Sequence, residues 1–135
     1  MAAGRWDLVV VGAGMAGLAT ALWARRLGLR PVVLEREARA GGQLSAIGGR
    51  VFDYPGLDLP NGDALTGRLL RQAAEAGVAL YLDRPVTAVS AADCTCVTPA
   101  GPVAGRALVL ATGLRARRLG VEGEEALHRE GWVRR

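Results

Sequence analysis

Residues 7 to 17 read Asp7-Leu8-Val9-Val10-Val11-Gly12-Ala13-Gly14-Met15-Ala16-Gly17, an apolar, β-branched run that empties into Gly-x-Gly-x-x-Gly. Such a run suits a strand buried on both faces. The three glycines have separate tasks: Gly12 permits a tight turn off the strand, Gly14 lets the backbone approach a pyrophosphate with no Cβ in the way, and Gly17 allows close helix–strand packing. The phosphate then lies at the start of the next helix, where unpaired N–H groups and the positive end of the dipole point at it. Glu35 closes the next apolar run, Pro31-Val32-Val33-Leu34, at 23 residues beyond Gly12. That is the reach needed to accept hydrogen bonds from a ribose hydroxyl.

The glycine spacing alone also arises in ordinary glycine-rich loops, so its flanks decide the reading. Met15, Leu18, Ala19 and Leu22 fall at helical spacing, and Gly28 supplies a stop. Pro31 opens the second strand, where a missing N–H is tolerated. Strand, helix and strand together predict a βαβ dinucleotide-binding unit.

A chain of 135 residues, half of them hydrophobic, fits one domain with a real core. All seventeen basic residues are arginine and the formal charge is +4. They are spread from Arg5 to Arg135 among few aromatics, so no basic-aromatic platform for nucleic acid emerges. A solvated surface with some attraction for phosphates fits better. Leu8 to Ala24 carries no charge and superficially resembles a signal peptide or short membrane span. Its three glycines, Asp7 at its start and its length argue against both, and the expectation is a soluble, cytoplasmic protein.

Cys94 and Cys96 stand two apart in Asp93-Cys94-Thr95-Cys96-Val97-Thr98. On a strand they would lie side by side on one face as small buried side chains, and they are not the Cys-x-x-Cys of a redox helix start. His128 falls in the polar tail and reads as a surface residue. No Ser-His-Asp set, metal-ligand cluster or paired catalytic carboxylate can be assembled, so no catalytic or metal-binding residue is expected in the chain.

Between residues 36 and 61, Gly41-Gly42-Gln43-Leu44, Gly48-Gly49 and Tyr54-Pro55-Gly56 mark an irregular segment near something that needs backbone access. A helix follows from Asp63, its expected cap, to Ala76, with Leu65, Leu69, Ala73 and Ala76 as its apolar stripe. Val78 to Leu82 reads as a strand. Val86 to Ser90, Cys94 to Thr98 and Pro102 to Ala104 read as a small antiparallel meander, and Arg106 to Gly113 as a final strand ending in a small-residue turn. The tail from Leu114 to Arg135 is polar and weakly patterned.

Four motifs thus occur in order: Gly12-Ala13-Gly14-Met15-Ala16-Gly17; Glu35 with Gly41-Gly42-Gln43-Leu44 behind it; Tyr54-Pro55-Gly56; and Ala111-Thr112-Gly113. In this the chain resembles the flavoproteins with two dinucleotide-binding domains, most closely the thioredoxin reductase-like group, which includes ferredoxin-NADP reductases of that type. The resemblance implies an α/β fold: a Rossmann-like parallel sheet with its βαβ unit and a small antiparallel meander, forming a three-layer FAD-binding domain that is incomplete. It further implies that residues 1–135 are the N-terminal portion of one FAD-binding domain, with the NADPH domain and the returning C-terminal Gly-Asp segment absent.

By the same resemblance, Gly12, Ala13, Gly14, Met15, Ala16 and Gly17 would cradle the FAD pyrophosphate. Glu35, with Arg36 beside it, would hold the adenosine ribose. Gly42, Gln43 and Leu44 would line the ribityl and flavin neighbourhood, and the Val89 backbone would lie near adenine. Ala111, Thr112 and Gly113 would close the site. Asp53 occupies the place before Tyr-Pro-Gly where thioredoxin reductases tend to carry asparagine, and Phe52-Asp53 looks more like the ferredoxin reductase subgroup. FAD is favoured over NAD because an NAD-only fold has no use for the Gly-Gly-Gln-Leu loop or for a meander followed by Ala-Thr-Gly.

The leading expectation is therefore a flavin-dependent NAD(P)H oxidoreductase, truncated or one part of a split enzyme. NAD(P)H would serve as donor only where a partner supplies its site, and that partner would be a second chain or another copy in a homo-oligomer. No nucleic acid or membrane partner is expected. The alternatives are a non-catalytic module that holds FAD or NAD, and a remnant whose incomplete sheet exposes apolar surface.

Overall fold

The computed structural model describes residues 5–115 and 117–130, without the side chain of His128, so the surface reading of His128 lies outside the described residues. Strands β1 (Trp6–Val11) and β2 (Pro31–Leu34) flank helix α1 (Met15–Arg26) and pair in parallel, with Leu8 opposite Pro31 and Val11 opposite Leu34. This is the βαβ unit read from the sequence, with Pro31 at the first position of its strand. The buried face of α1 differs from the expected Met15-Leu18-Ala19-Leu22 stripe: it is Gly17, Leu18, Ala21 and Ala24. A Cβ on Gly17 would fall 1.9 Å from the Gly12 carbonyl oxygen, so the helix sits on the strand end through its smallest residues and Met15 is turned outward.

The remaining elements are a 3-10 helix (Gly42–Ala46), α2 (Gly62–Glu75), β3 (Ala79–Tyr81), β4 (Ala88–Ser90), β5 (Thr95–Thr98), β6 (Gly101–Leu110) and α3 (Glu124–Arg129). The sheet order is β3-β2-β1-β6-β5-β4. Its first four strands run parallel and the last pairings are antiparallel. Strand β6 belongs to both parts: residues from Gly101 to Ala104 pair with β5, and residues from Gly105 to Leu110 lie beside β1.

That continuity corrects the expectation of two strands, Pro102 to Ala104 and Arg106 to Gly113. Gly105 interrupts the apolar pattern because it is where β6 changes partners; a Cβ there would approach Val9 Cγ2 to 2.8 Å and the Ala107 carbonyl oxygen to 3.0 Å. The sequence break marks a crossing point within one strand.

The two faces of the parallel strands feed two cores. Val10 and Val33 face Leu18, Ala21 and Ala73 of the helical layer, while Val9, Val32 and Leu34 face Cys96 and Val103 of the meander. The four valines have no exposed surface, and burying each contributes about 1.5–3 kcal/mol. Helices, parallel sheet and meander make the three layers expected.

Two further expectations are corrected. The cap of α2 is Asn61, whose side chain accepts from the Ala64 N–H at 2.9 Å, so Asp63 lies inside the first turn, where its charge favours the positive helix end. Cys94 is not on the strand: it occupies a left-handed turn at φ +49 ahead of Thr95, and only Cys96 is buried. The two sulfurs therefore do not share a strand face. The polar tail contains α3, which begins with Glu124 and Glu125, placing acid at its positive end.

Candidate nucleotide-binding cleft

The carboxyl ends of β1, β2 and β6 converge on one loop cluster. Since β2 lies on one side of β1 and β6 on the other, this is the point where chain connections diverge and an open α/β sheet leaves a crevice. The Gly12 N–H donates to the Leu34 carbonyl at 2.8 Å, and the Ala111 N–H donates to the Val11 carbonyl at 2.8 Å. Gly12 is required twice over. Its φ is +104, and a Cβ would stand 2.4 Å from the Ala111 carbonyl oxygen.

Gly14 is different in kind. It caps α1 in an extended conformation, φ −75 and ψ −175, that any residue adopts, and a Cβ built on it meets nothing within 4 Å. The fold does not need glycine here; the open space in front of it does. Behind that space, α1 begins with no side-chain cap and no acidic residue in its first turn, so its leading N–H groups have no anionic or hydroxyl partner from their own side chains.

Glu35 is buried, at 7% exposure, directly beside this turn. The Ala13 N–H donates to Oε2 at 2.7 Å and the Glu37 N–H to Oε1 at 3.0 Å. One carboxylate thus pins the glycine turn to the end of β2, and each oxygen retains acceptor capacity for another donor. Arg36 beside it pairs with Glu37 at 3.0 Å on the exposed rim.

The third wall is the Gly-Gly-Gln-Leu turn. The Gly41 N–H donates to the Ala13 carbonyl at 2.9 Å, so the 3-10 helix starts against the glycine turn. Helix α2 holds it from behind: a Cβ on Gly62 would fall 2.0 Å from the Leu44 carbonyl oxygen. On the open side, Gln43 Nε2 donates to the Leu114 carbonyl at 2.9 Å.

The resulting cleft has a volume of about 520 Å³ and is lined by Gly12, Gly14, Met15, Ala16, Glu35, Arg36, Gly42, Gln43, Leu44, Ala111, Thr112 and Gly113. Ala13 and Gly17 lie buried behind it, supporting the turn and the helix packing. Asp53 and Val89 do not line it. Asp53 stands exposed in the loop closed by the Val51–Leu59 bridge and the Arg50–Asp58 ion pair, and Val89 pairs with Cys96 on the outer strand. Glu37, Ile47, Leu110 and Leu114 also line the cleft without having been singled out. Only their closeness in sequence to chosen residues pointed to them.

A larger groove, about 940 Å³, opens elsewhere beside Trp6, Tyr81 and the meander. Its arginines are engaged in holding the layers: Arg5 donates to the carbonyls of Gly105 and Asp93, and Arg30 to that of Arg5. It has the character of a seam between layers. Among the described residues, no group of three metal-ligating side chains occurs and no helix is long and apolar enough to cross a membrane.

A parallel sheet with this cleft at its switch point defines a dinucleotide-binding α/β protein. The chain belongs to the pyridine nucleotide-disulphide oxidoreductase family, whose model matches residues 6–133. It is 34% identical over 134 residues to a ferredoxin–NADP reductase of Lactococcus lactis subsp. cremoris, covering 94% of this chain and 42% of that protein. A thioredoxin reductase of Listeria monocytogenes is 31% identical over 127 residues, covering 93% and 39%. Among solved structures, Lactococcus lactis thioredoxin reductase superposes with a TM-score of 0.81 at 26% identity, covering 93% of this chain and 41% of that one. The chain therefore spans about two fifths of the length of these relatives.

Proposed function

We propose that this chain is the FAD-binding part of a thioredoxin reductase-like, flavin-dependent NAD(P)H oxidoreductase. The observation that carries the reading is the convergence of Gly14, Glu35, Gln43 and Ala111–Gly113 on one cleft, with the uncapped start of α1 at its floor. The residues fit a pyrophosphate-linked nucleotide. Gly14 leaves the volume that a phosphate requires, the first N–H groups of α1 donate to it, and the Glu35 carboxylate accepts from a ribose. Asp53 and Val89 enter the proposal through the family resemblance alone.

FAD, when bound, supplies the electron-transfer chemistry itself. What this chain contributes is binding and orientation: a turn that admits phosphate, a carboxylate that fixes the ribose, and a Gly-Gly-Gln-Leu wall held in register by α2. The site for NAD(P)H is proposed to come from the rest of the protein, from a second chain or from another copy. A cytoplasmic location belongs to the same proposal and accords with two unpaired thiols, Cys94 and Cys96.

The test is spectroscopic and kinetic. The purified protein is expected to show a flavin absorbance spectrum and, together with whatever completes it, to reduce an artificial acceptor at the expense of NAD(P)H. Bound nucleotide without any turnover in the complete assembly would point to a non-catalytic binding module, and a colourless protein that takes up no added FAD would overturn the proposal.

A further inference from the structure

The cleft opens sideways into a second recess of about 640 Å³, and the two share the Arg36–Glu37, Gly42–Gln43 and Thr112–Leu114 walls. Gly12, Gly14 and Glu35 line only the first recess; Arg115 and Arg118 line only the second. At their junction stands the hydrogen bond from Gln43 Nε2 to the Leu114 carbonyl, which ties together segments 71 residues apart in sequence. Both partners are exposed, so water can replace either one when the bond opens. Gly42 at φ +54 and Gly113 at φ +74 adjoin the two anchors, so backbone without side chains lies next to each end.

We infer that the Gln43–Leu114 hydrogen bond is a crossbar that divides one long groove, and that it gates ligands by their length. The inference rests on the flavin-nucleotide reading above. Phosphate at the start of α1 and ribose at Glu35 both fall within the first recess, whose volume matches that of an ordinary small-molecule site. An adenosine diphosphate unit, which needs only the first recess, therefore seats with the Gln43–Leu114 bond still closed. A full dinucleotide must continue past Gln43 into the second recess, and only the fraction of molecules with the crossbar open admits it. The apparent affinity of a ligand for a partly populated competent state falls by that fraction, and removing the bar restores it.

The experiment measures association and dissociation rates of FAD and of ADP, by stopped-flow fluorescence, with the apoprotein of the complete protein. It compares wild type with Gln43→Ala and Gln43→Met, the second of which keeps the side-chain length without the donor. A solvent-exposed hydrogen bond of ordinary strength corresponds to FAD association roughly two- to tenfold faster in both variants, with ADP association unchanged. An unchanged FAD on-rate accompanied by faster dissociation would make Gln43 a simple ligand contact and overturn the crossbar. Equal acceleration of ADP and FAD would also overturn it. Failure of wild type to bind either ligand would instead overturn the nucleotide reading beneath it, taking the crossbar with it.

Discussion

Gly14 caps α1 with extended angles, and a side chain placed there meets empty space. Serine is favoured over glycine at a helix N-cap by a few tenths of a kcal/mol, because its hydroxyl accepts from a first-turn N–H, and α1 has no such side-chain cap. In the absence of ligand, Gly14→Ser is therefore expected to hold Tm constant or raise it by about 1–3 °C. The same hydroxyl occupies an N–H that a phosphate would use. Losing one charge-assisted hydrogen bond of about 1.5–3 kcal/mol weakens nucleotide binding roughly ten- to hundredfold. Gly17→Ala supplies the contrast: its Cβ would stand 1.9 Å from the Gly12 carbonyl oxygen, where real Cβ contacts rarely fall under 3.0 Å, so α1 must back away from the strand. Overpacking of that kind costs about 1–3 kcal/mol, and Tm should fall. Thermal unfolding of the ligand-free proteins and calorimetric titration with FAD read the two effects separately. A Gly14→Ser protein that melts earlier yet binds FAD as tightly as wild type would refute the assignment of Gly14 to the ligand.

Glu35→Gln places an amide NH₂ where the carboxylate accepts from two backbone N–H groups, at Ala13 and Glu37. With one buried donor left unpaired, the variant should lose about 1–3 kcal/mol in denaturant unfolding as well as nucleotide affinity. The Arg30 backbone N–H, assisted by the charges of Arg30 and Arg106, holds the Asp7 carboxyl below its ordinary value of 3.8. A depressed folded-state pKa contributes stability that is present above 3.8 and disappears as pH falls through the folded value. Acid titration of unfolding should therefore be steeper for wild type than for Asp7→Asn, and identical curves would remove Asp7 from the account. Burial pushes the Cys96 thiol upward, while Cys94 is partly exposed in its turn. Iodoacetamide at neutral pH should label Cys94 in the folded protein and reach Cys96 only on unfolding, as peptide mass mapping would show.

The βαβ unit was legible because its signals are local. Glycine spacing and a β-branched run each state a backbone requirement within a few residues, and the structure meets each one at Gly12 and at Val9 and Val10. Features that depend on contacts distant in sequence were harder to read. Gly105 looked like a strand end, yet it is where β6 passes from β5 to β1. Asp63 looked like a cap because a carboxylate suits that role, but Asn61 sits two residues earlier with the extended backbone a cap requires. The roll of α1 onto Gly17, Ala21 and Ala24 follows from the close approach at Gly12, which helical periodicity alone does not encode. Within the site, Glu35 was read as a ribose acceptor, and its grip on the Ala13 N–H emerged only from the folded chain. The role of Gly62 in holding the Leu44 turn likewise had no local signal.

Titration of the apoprotein of the complete protein with FAD, followed by flavin absorbance and by calorimetry, bears most directly on the cleft between β1, β2 and β6. Saturable binding of one FAD per chain, weakened roughly ten- to hundredfold by Gly14→Ser, is the predicted result. Absence of FAD binding by folded wild-type protein, or binding indifferent to Gly14, would contradict the placement of a flavin nucleotide in that cleft.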